Sequence, residues 1–433
     1  MKRFFYLIEK DARLVLRSTS LYLMLIVTSL IIGNSFLLAV DLYSKASIAA
    51  LNDPFYAKSF EPVAGVFNPT MGGFYLTFSM IFPFVVIPLI SKERENSTIS
   101  VLYQVGYSPV QIVLSKWLLS FMAVLFALAL VLPGVVAWLV WGGHVPGPEF
   151  LLLMLGYLLY GSLVSGISIF TASVTRNSSS AAIIALGIIL FSWIVDFTSG
   201  MISSPVIKVV SQLSLSKFIS VFEKGIFDPG TIFTMLAITV FLIFVAATVL
   251  TPGKSLKDII VPAAVVGFMS VLIAGFNPGK IDITESHRNS FPPAVSRNLR
   301  KIGKIRIKIY MSPEDSRYRD FETEFLSRLK MVKRDVEIEL MRGDELEKQY
   351  GIIKYELISD SGIKSDSTYS NSVEEAFQIL SGLSGLKFNI QEDLYPGYPI
   401  VVNRNQLFPV KILYFLLFPL VFTFLLIYTR IRE

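Results

Sequence analysis

Eight long apolar runs constrain the fold of this chain more than any other feature. They cover residues 21–40, 72–90, 117–141, 151–174, 181–197, 232–250, 259–274 and 408–428. A helix needs about 20 apolar residues to cross a bilayer core. Only 17% of the residues are charged and 53% are hydrophobic, whereas soluble domains carry about 25% charged residues. We therefore predict an α-helical polytopic membrane protein with about eight transmembrane helices.

The stretches between these runs divide the chain into five parts. Basic and apolar residues mix at helical spacing in residues 1–20, which predicts an interfacial amphipathic helix. The other parts are a six-span bundle (21–250), a seventh span with its preceding loop (251–275), an inserted α/β domain (276–407), and an eighth span with a short tail (408–433).

The charges in the short loops predict the orientation. Basic residues favour the cytoplasmic side, so we expect both termini and residues 91–116 to be cytoplasmic in a protein of the cytoplasmic membrane. Residues 41–71 and 276–407 are then extracytoplasmic. Residues 200–230 also fall outside, and their helix-spaced apolar residues predict short re-entrant or interfacial helices.

The inserted region shows the pattern of an α/β fold. Residues 302–310 and 336–340 alternate between apolar and polar, which predicts strands, and a helical apolar stripe lies between them. This order predicts a βαβ unit with parallel strands. A third strand is predicted at 352–358 and a helix at 373–383. The basic residues of 297–308 fit a solvated face, or a contact with lipid headgroups or an anionic cargo.

A polar, amphipathic segment at residues 91–116 separates the second and third runs. It opens with the charges Lys92-Glu93-Arg94-Glu95 and continues with apolar residues at helical spacing, until Gly106 and Pro109 interrupt the pattern. Two interpretations follow: a connector lying on the headgroups, or a short helix that a soluble partner pushes.

Motifs for catalysis or metal binding are missing from the sequence. There is no cysteine, so thiolate sites and disulfides are excluded. Gly253-Lys254-Ser255 resembles the end of a phosphate-binding loop, but Thr248 stands where that motif needs a glycine. The two histidines lack metal-site spacing, and the basic residues are too scattered for a nucleic-acid surface. We expect a non-enzyme that binds no metal or cofactor and takes its energy from a partner.

The fourth and fifth runs contain five polar residues that are candidates for a translocation path or for helix packing. They are Tyr160, Ser162, Ser165, Ser168 and Asp196. Small and hydroxyl-bearing residues promote close helix packing, while an intramembrane carboxylate is a functional candidate. Helix packing and the lining of a translocation path both remain open, and packing is favoured.

Several segments resemble ABC type-2 exporter permeases over roughly residues 1–250. Residues 8–18 (IEKDARLVLRS) resemble the interfacial elbow helix of that family, and residues 92–99 (KERENSTI) resemble its first cytoplasmic loop. The family has a small residue and glycine where Asn96 and Ser97 stand here. Residues 106–116 and 171–182 also fit the family's pattern.

The resemblance implies partners and a coupling helix that docks into an ATP-binding-cassette ATPase subunit. The implied coupling residues are Glu93, Arg94, Glu95, Thr98, Ile99, Leu102, Tyr103 and Gly106. ATP and Mg²⁺ would bind in that partner subunit. A second permease copy, in a homodimer or heterodimer, and membrane lipid are the other implied partners.

Residues after 250 resemble the auxiliary component of gliding-motility-type ABC exporters, through a span, an external α/β domain and a final span. The competing hypothesis is a membrane-anchored binding or scaffold protein. Its external α/β domain would recognise polysaccharide or protein.

Overall fold

Long helices form the first part of the chain. The computed structural model describes residues 2–51, 53–199, 210–274, 279–333, 335–341, 343–359, 362–388 and 395–431. The helices up to residue 274 are α1 (Lys2–Leu16), α2 (Thr19–Ala50), α3 (Pro54–Ala57), α4 (Asn68–Met80), α5 (Pro83–Val86), α6 (Pro88–Glu95), α7 (Thr98–Gln104), α8 (Pro109–Leu128), α9 (Leu132–Val140), α10 (Gly147–Val174), α11 (Ser178–Ser199), α12 (Leu215–Glu223), α13 (Pro229–Val249) and α14 (Leu256–Ala274). A π-helical turn, Val63–Phe67, leads directly into α4.

Six helical stretches among the described residues are long and apolar enough to cross a membrane. They are Thr19–Ala50, Pro109–Val140, Gly147–Val174, Ser178–Thr198, Pro229–Val249 and Arg404–Ile431. The pair Val63–Met80 and Pro83–Glu95 gives a seventh if it counts as one span bent by 45°. Pro83 lies at the bend, where its ring prevents a regular helix. Helix α14 coincides with the predicted seventh run, and the total of eight stays a prediction.

Helix α10 lies at the centre of the bundle. In its apolar window 78% of the residues are buried, compared with 22% in α11 and 11% in the last helix. Glycines allow the close approach: a Cβ on Gly156 would meet Phe222 of α12, and a Cβ on Gly161 would meet Val124 of α8. Helix α10 is therefore the central helix around which the other helices of the bundle pack.

Residues 41–71, which we predict to be extracytoplasmic, are largely helical. Helix α2 continues to Ala50, and the next long helix begins at Val63. At 1.5 Å per residue, 32 residues span about 48 Å, whereas the bilayer core is about 30 Å thick. The end of α2 therefore projects beyond the core, where Ser44 and Ser47 bond to the backbone of residues 400–402.

The inserted region contains a four-stranded mixed sheet. Its strands are β3 (Lys304–Ile309), β4 (Val336–Leu340), β5 (Ile353–Ser359) and β6 (Gly362–Thr368), in the order β4-β3-β5-β6. Strands β3 and β4 pair in parallel, as the spacing predicts, while β5 is antiparallel to both β3 and β6. The helices of this region are α15 (Pro293–Lys301), α16 (Ser316–Phe321), α17 (Ser327–Val332), α18 (Asp344–Lys348) and α19 (Val373–Ser384), with a π-helical turn (Glu322–Leu326) between α16 and α17.

The two faces of the sheet differ. Ile305, Ile307 and Ile309 are fully buried in a core that also contains Phe321 and Phe325. On the other face the basic residues of β3 pair with carboxylates of β4 and β5. Half of the six basic residues of 297–308 are thus neutralised within the sheet.

The insert returns to the bundle at both of its ends. A short strand after α12, β1 (Ile226–Phe227), pairs antiparallel with β2 (Ile281–Asp282) at the entry of the insert. At the exit, α20 (Arg404–Ile412), a π-helical turn (Leu413–Leu417) and α21 (Phe418–Ile431) form the last membrane helix. Arg430 donates a 2.7 Å hydrogen bond to Thr19, so both ends of the chain lie at the same end of the bundle.

Candidate functional site

The segment of residues 88–116 forms two short helices joined by a tight turn. Asn96 and Ser97 separate α6 from α7, and Ser97 has the left-handed φ of 58°. Gly106, at φ 91°, ends α7. Ser108 then starts α8 with a capping box, in which its hydroxyl accepts from the Gln111 amide and the Gln111 side chain accepts from the Ser108 amide.

A buried cluster of four charges anchors α6. The Lys116 ammonium is 1% exposed and lies 2.6 Å from Asp11 Oδ1 and 2.8 Å from Glu93 Oε1. Lys10 Nζ lies 2.6 Å from the same Glu93 oxygen and 3.2 Å from Asp11. Burial acts to lower the pKa of Lys10, but its hydrogen bond to Glu93 and the charges of Glu93 and Asp11 raise it overall. The cluster ties α1, α6 and α8 together.

The next two charges of α6 bond to the ends of α10 and α11. Arg94 donates to the carbonyls of Ala172, Ser173 and Thr175, the last at 2.6 Å. Its positive charge therefore lies at the negative end of the α10 dipole. Glu95 accepts from the amide and hydroxyl of Ser178 at the start of α11, where the dipole favours an anion.

Helix α7 packs against the bundle through one face. Ile99 and Leu102 are buried, and Thr98 is half-buried. The Tyr103 hydroxyl donates a 2.6 Å hydrogen bond to the carbonyl of Leu250 at the end of α13. The segment is therefore held by α1, α8, α10, α11 and α13.

The predicted coupling residues make contacts within the chain. Charged contacts of Glu93, Arg94 and Glu95 with a partner, and docking of Ile99, Leu102 and Tyr103 in its groove, stay predictions. In the structure all six make the internal contacts just described, because α6 and α7 lie against other helices on that side.

The outward face of α7 carries a different pair. Val101 and Val105 are 54% and 56% exposed and stand four residues apart, so they share one helical face. We call this pair the valine ridge; Ser100 and Gln104 beside it are also exposed. Continuing the helical period from Ile99 and Leu102 to the opposite face would have identified it from the sequence.

The hydroxyl stripe of α10 lies within the helix packing. The Tyr160 hydroxyl is 2.5 Å from that of Ser79 on α4. Ser165 and Ser168 donate to carbonyls one turn earlier in their own helix, and Ser162 is buried with no hydrogen-bond partner among the described residues. These contacts favour the packing interpretation.

Asp196 makes contacts outside this stripe. It accepts a hydrogen bond from Ser216 and lies 3.8 Å from Lys217, both on α12. These contacts connect Asp196 to α12.

A second charged network, at the opposite end of α10, holds the insert. Arg288 lies 2.9 Å from Glu149 Oε1, pairs with Glu61, and donates to the carbonyl of Glu223. Nearby, His144 lies 2.8 Å from Glu285. We call this the insert end of the bundle and the other the α7 end. This network could not be predicted from the sequence, because its members lie in four separate segments.

The described residues contain no group of three His, Asp or Glu side chains that could hold a metal ion.

Comparison with known proteins gives one family match. Residues 2–213 match the family described as ABC-2 type transporter. This part of the chain, just under half of it, is similar to an ABC-2 type membrane domain, and it includes the α6–α7 segment and α10. No curated protein and no solved structure matches the chain.

Proposed function

We propose that this chain is the permease subunit of an exporter in which a separate ATP-binding-cassette subunit hydrolyses ATP. The ABC-2 membrane domain supports a permease, and the family implies pairing with such a subunit. ATP and Mg²⁺ bind in that subunit. The basic residues near both ends of the chain support a cytoplasmic α7 end and an extracytoplasmic insert.

The observation that carries this proposal is the anchoring of the α6–α7 segment. Five helices hold it through buried or charged contacts, yet it exposes two apolar side chains, Val101 and Val105. Exposed valines on a polar segment between membrane helices suit a surface that a protein partner covers. The valine ridge is the proposed docking surface for the ATPase subunit.

The charged residues of α6 transmit the movement in this proposal. Closure of the ATPase dimer pushes on α7, and Glu93 carries the displacement to α1 and α8 through Lys116. Arg94 and Glu95 carry it to α10 and α11. Because the contacts span several helices, the bundle shifts as a rigid body.

A second copy of the permease completes the transporter in this proposal, as a homodimer or heterodimer. Helix α11 supports this because it exposes large apolar side chains, among them Ile183, Phe191 and Phe197. Such a face suits lipid or a second bundle. The proposed fusion to an auxiliary-type domain concerns residues after 250, which the family match does not reach.

Co-purification tests the proposal. The tagged full-length chain is extracted from its own membranes, and the eluate is assayed for a vanadate-sensitive ATPase subunit. Val101→Asp should lower the amount of that subunit on the order of tenfold or more, because it places an unpaired charge in the contact. Asn96→Asp is the matched control, since it adds the same charge at an exposed position of the preceding turn.

Two outcomes would contradict the proposal. If no ATPase subunit accompanies the unsubstituted chain, the binding or scaffold function is favoured instead. If Val101→Asp retains the subunit as well as Asn96→Asp does, the valine ridge is not the docking surface.

A further inference from the structure

A large basic cleft lies between the insert and the membrane bundle at the insert end. Its volume is about 1280 Å³, and its lining comes from α12, β1, the start of α13, the entry of the insert, α15 and α17. The cationic residues of the lining are Lys224, Lys280, Arg288, Arg300, Arg328 and Lys330. Glu324 is the only acidic residue in that lining. The wall therefore carries a large excess of positive charge.

Half of these cations are neutralised within the chain. Lys280 lies 3.1 Å from Asp228, and Arg328 lies 2.9 Å from Glu324. Arg288 belongs to the network with Glu61 and Glu149. The internal ion pairs account for these three cations and for the single acid of the lining.

The other three cations are exposed and make no ion pair among the described residues. Lys224 follows α12, Arg300 lies in the last turn of α15, and Lys330 lies on α17. They come from three separate elements, yet they line one cleft. Since an open cleft with unpaired cations attracts an anion, these residues mark a binding site rather than a structural ion pair.

The position and the remaining lining indicate the kind of anion. Lys224 is five residues before Pro229, where the membrane helix α13 begins, so the cleft opens at the level of the headgroups. Apolar side chains, including Ile226, Ile281 and Met331, line the cleft beside the cations. This combination fits a ligand with a phosphate at one end and an apolar part at the other.

We propose that this cleft binds the headgroup of an anionic phospholipid, with its phosphate between Lys224, Arg300 and Lys330. The arginine supplies planar, paired donors for phosphate oxygens, and the lysines supply charge. The lipid bridges the bundle and the insert. The proposal concerns the insert end alone and does not depend on the ATPase partner.

The test is a binding titration on the full-length chain in a nonionic detergent. Phosphatidylglycerol with a fluorescent acyl chain is the probe, and its anisotropy is measured. Phosphatidylcholine with the same label is the neutral-lipid arm, and inorganic phosphate as a competitor is the soluble-anion arm. The triple variant Lys224→Gln, Arg300→Gln and Lys330→Gln should bind phosphatidylglycerol at least about tenfold more weakly.

Two further triple variants control for charge and for folding. The first is the triple variant Lys224→Arg, Arg300→Lys and Lys330→Arg. It keeps the positive charges and should keep the binding of phosphatidylglycerol. The second is the triple variant Lys348→Gln, Lys364→Gln and Lys387→Gln, which removes three exposed lysines outside the cleft. It should bind phosphatidylglycerol as the unsubstituted chain does. Thermal unfolding of all variants shows whether a loss of binding reflects a loss of folding.

Three results would overturn the proposal. One is unchanged phosphatidylglycerol binding in the folded Gln variant of the cleft. Another is equal affinity for phosphatidylcholine, because charge would then play no part. The third is competition by inorganic phosphate at the same concentration as the lipid, which would assign the cleft to a soluble anion.

Discussion

The two ends of α10 carry charged networks of similar form but different construction. At the α7 end, Lys116 lies between Asp11 and Glu93, and its side chain is 1% exposed. At the insert end, Arg288 lies between Glu61 and Glu149, and its side chain is 21% exposed. The first network joins helices within the bundle, whereas the second joins the bundle to the insert. The buried network therefore connects helices within one packed unit, whereas the partly exposed network connects two units.

The clefts beside the two networks are similar in size and in charge. The cleft at the α7 end, of about 1250 Å³, is lined by Lys10, Arg13 and Lys116, which are held by carboxylates, and also by Arg17, Lys92 and Arg430. The cleft at the insert end, of about 1280 Å³, has three cations that make no ion pair among the described residues. The two ends therefore differ in the burial of their networks and in the elements that the networks join, and not in the charge of their clefts.

Lys116→Met is expected to have the largest effect, because it leaves Asp11 and Glu93 buried with less compensation. Removing one member of a buried ion pair typically costs about 3–5 kcal/mol. We expect the free energy of unfolding to fall by about that amount, measured by thermal or denaturant unfolding in detergent. Lys92→Met is the control, since Lys92 is exposed beside the same cluster and should change stability little.

The comparison of the two ends would fail if Lys116→Met and Lys92→Met were equally stable. A partial recovery in the double variant Lys116→Met with Glu93→Gln would sharpen it, because the unpaired charge would then be the cause of the loss. Glu93 Oε2 has no hydrogen-bond partner among the described residues, so a glutamine amide group at this position breaks no hydrogen bond of that oxygen.

Arg288→Gln is expected to have a smaller and more local effect at the insert end. Arg288 is partly exposed, so the loss should be about 1–3 kcal/mol. It should appear as faster hydrogen exchange of the Ile283 amide, which donates to the carbonyl of Gly225. Exchange at α8 should stay unchanged. Lys116→Met should instead accelerate exchange at α8 and leave exchange of the Ile283 amide unchanged.

Arg297→Gln is the control for this variant, since Arg297 lies exposed on α15. If Arg288→Gln accelerated exchange equally at both ends, the insert and the bundle would form one cooperative unit. The distinction between the two networks would then be wrong.

Apolar patterns in the sequence predicted the long helices and the parallel pair β3–β4, because these elements bury one face or all of their surface. Strand β6 escaped prediction since its residues, Gly362–Thr368, are almost all exposed at the edge of the sheet. The helical structure at the end of α2 was not predicted, because this part of the helix continues beyond the bilayer core.

The charged residues of α6 show which contacts a sequence pattern does not predict. Lys92, Glu93, Arg94 and Glu95 are consecutive in the sequence, and we predict contacts of the last three with a partner. Successive residues of a helix point about 100° apart, and here Glu93, Arg94 and Glu95 each meet a different neighbouring helix. Which helix lies on which side depends on packing between segments far apart in the sequence. The segment stays a predicted candidate site, and the sequence alone does not show which helix each of its side chains contacts.

Ser97→Gly is expected to have the smallest effect, and it stabilises the α7 end. Ser97 adopts a φ of 58°, a region that costs a residue with a Cβ roughly 1–2 kcal/mol and that glycine enters freely. We expect a gain of about 0.5–1 kcal/mol in the free energy of unfolding, since glycine also gains freedom in the unfolded chain. The matched control is Asn96→Gly, because Asn96 has a φ of −87° and glycine there should be neutral or destabilising. Opposite signs for these two adjacent substitutions, read from the same unfolding curves, would show that the strain lies at Ser97. A loss of stability in both would mean that the turn tolerates serine without strain.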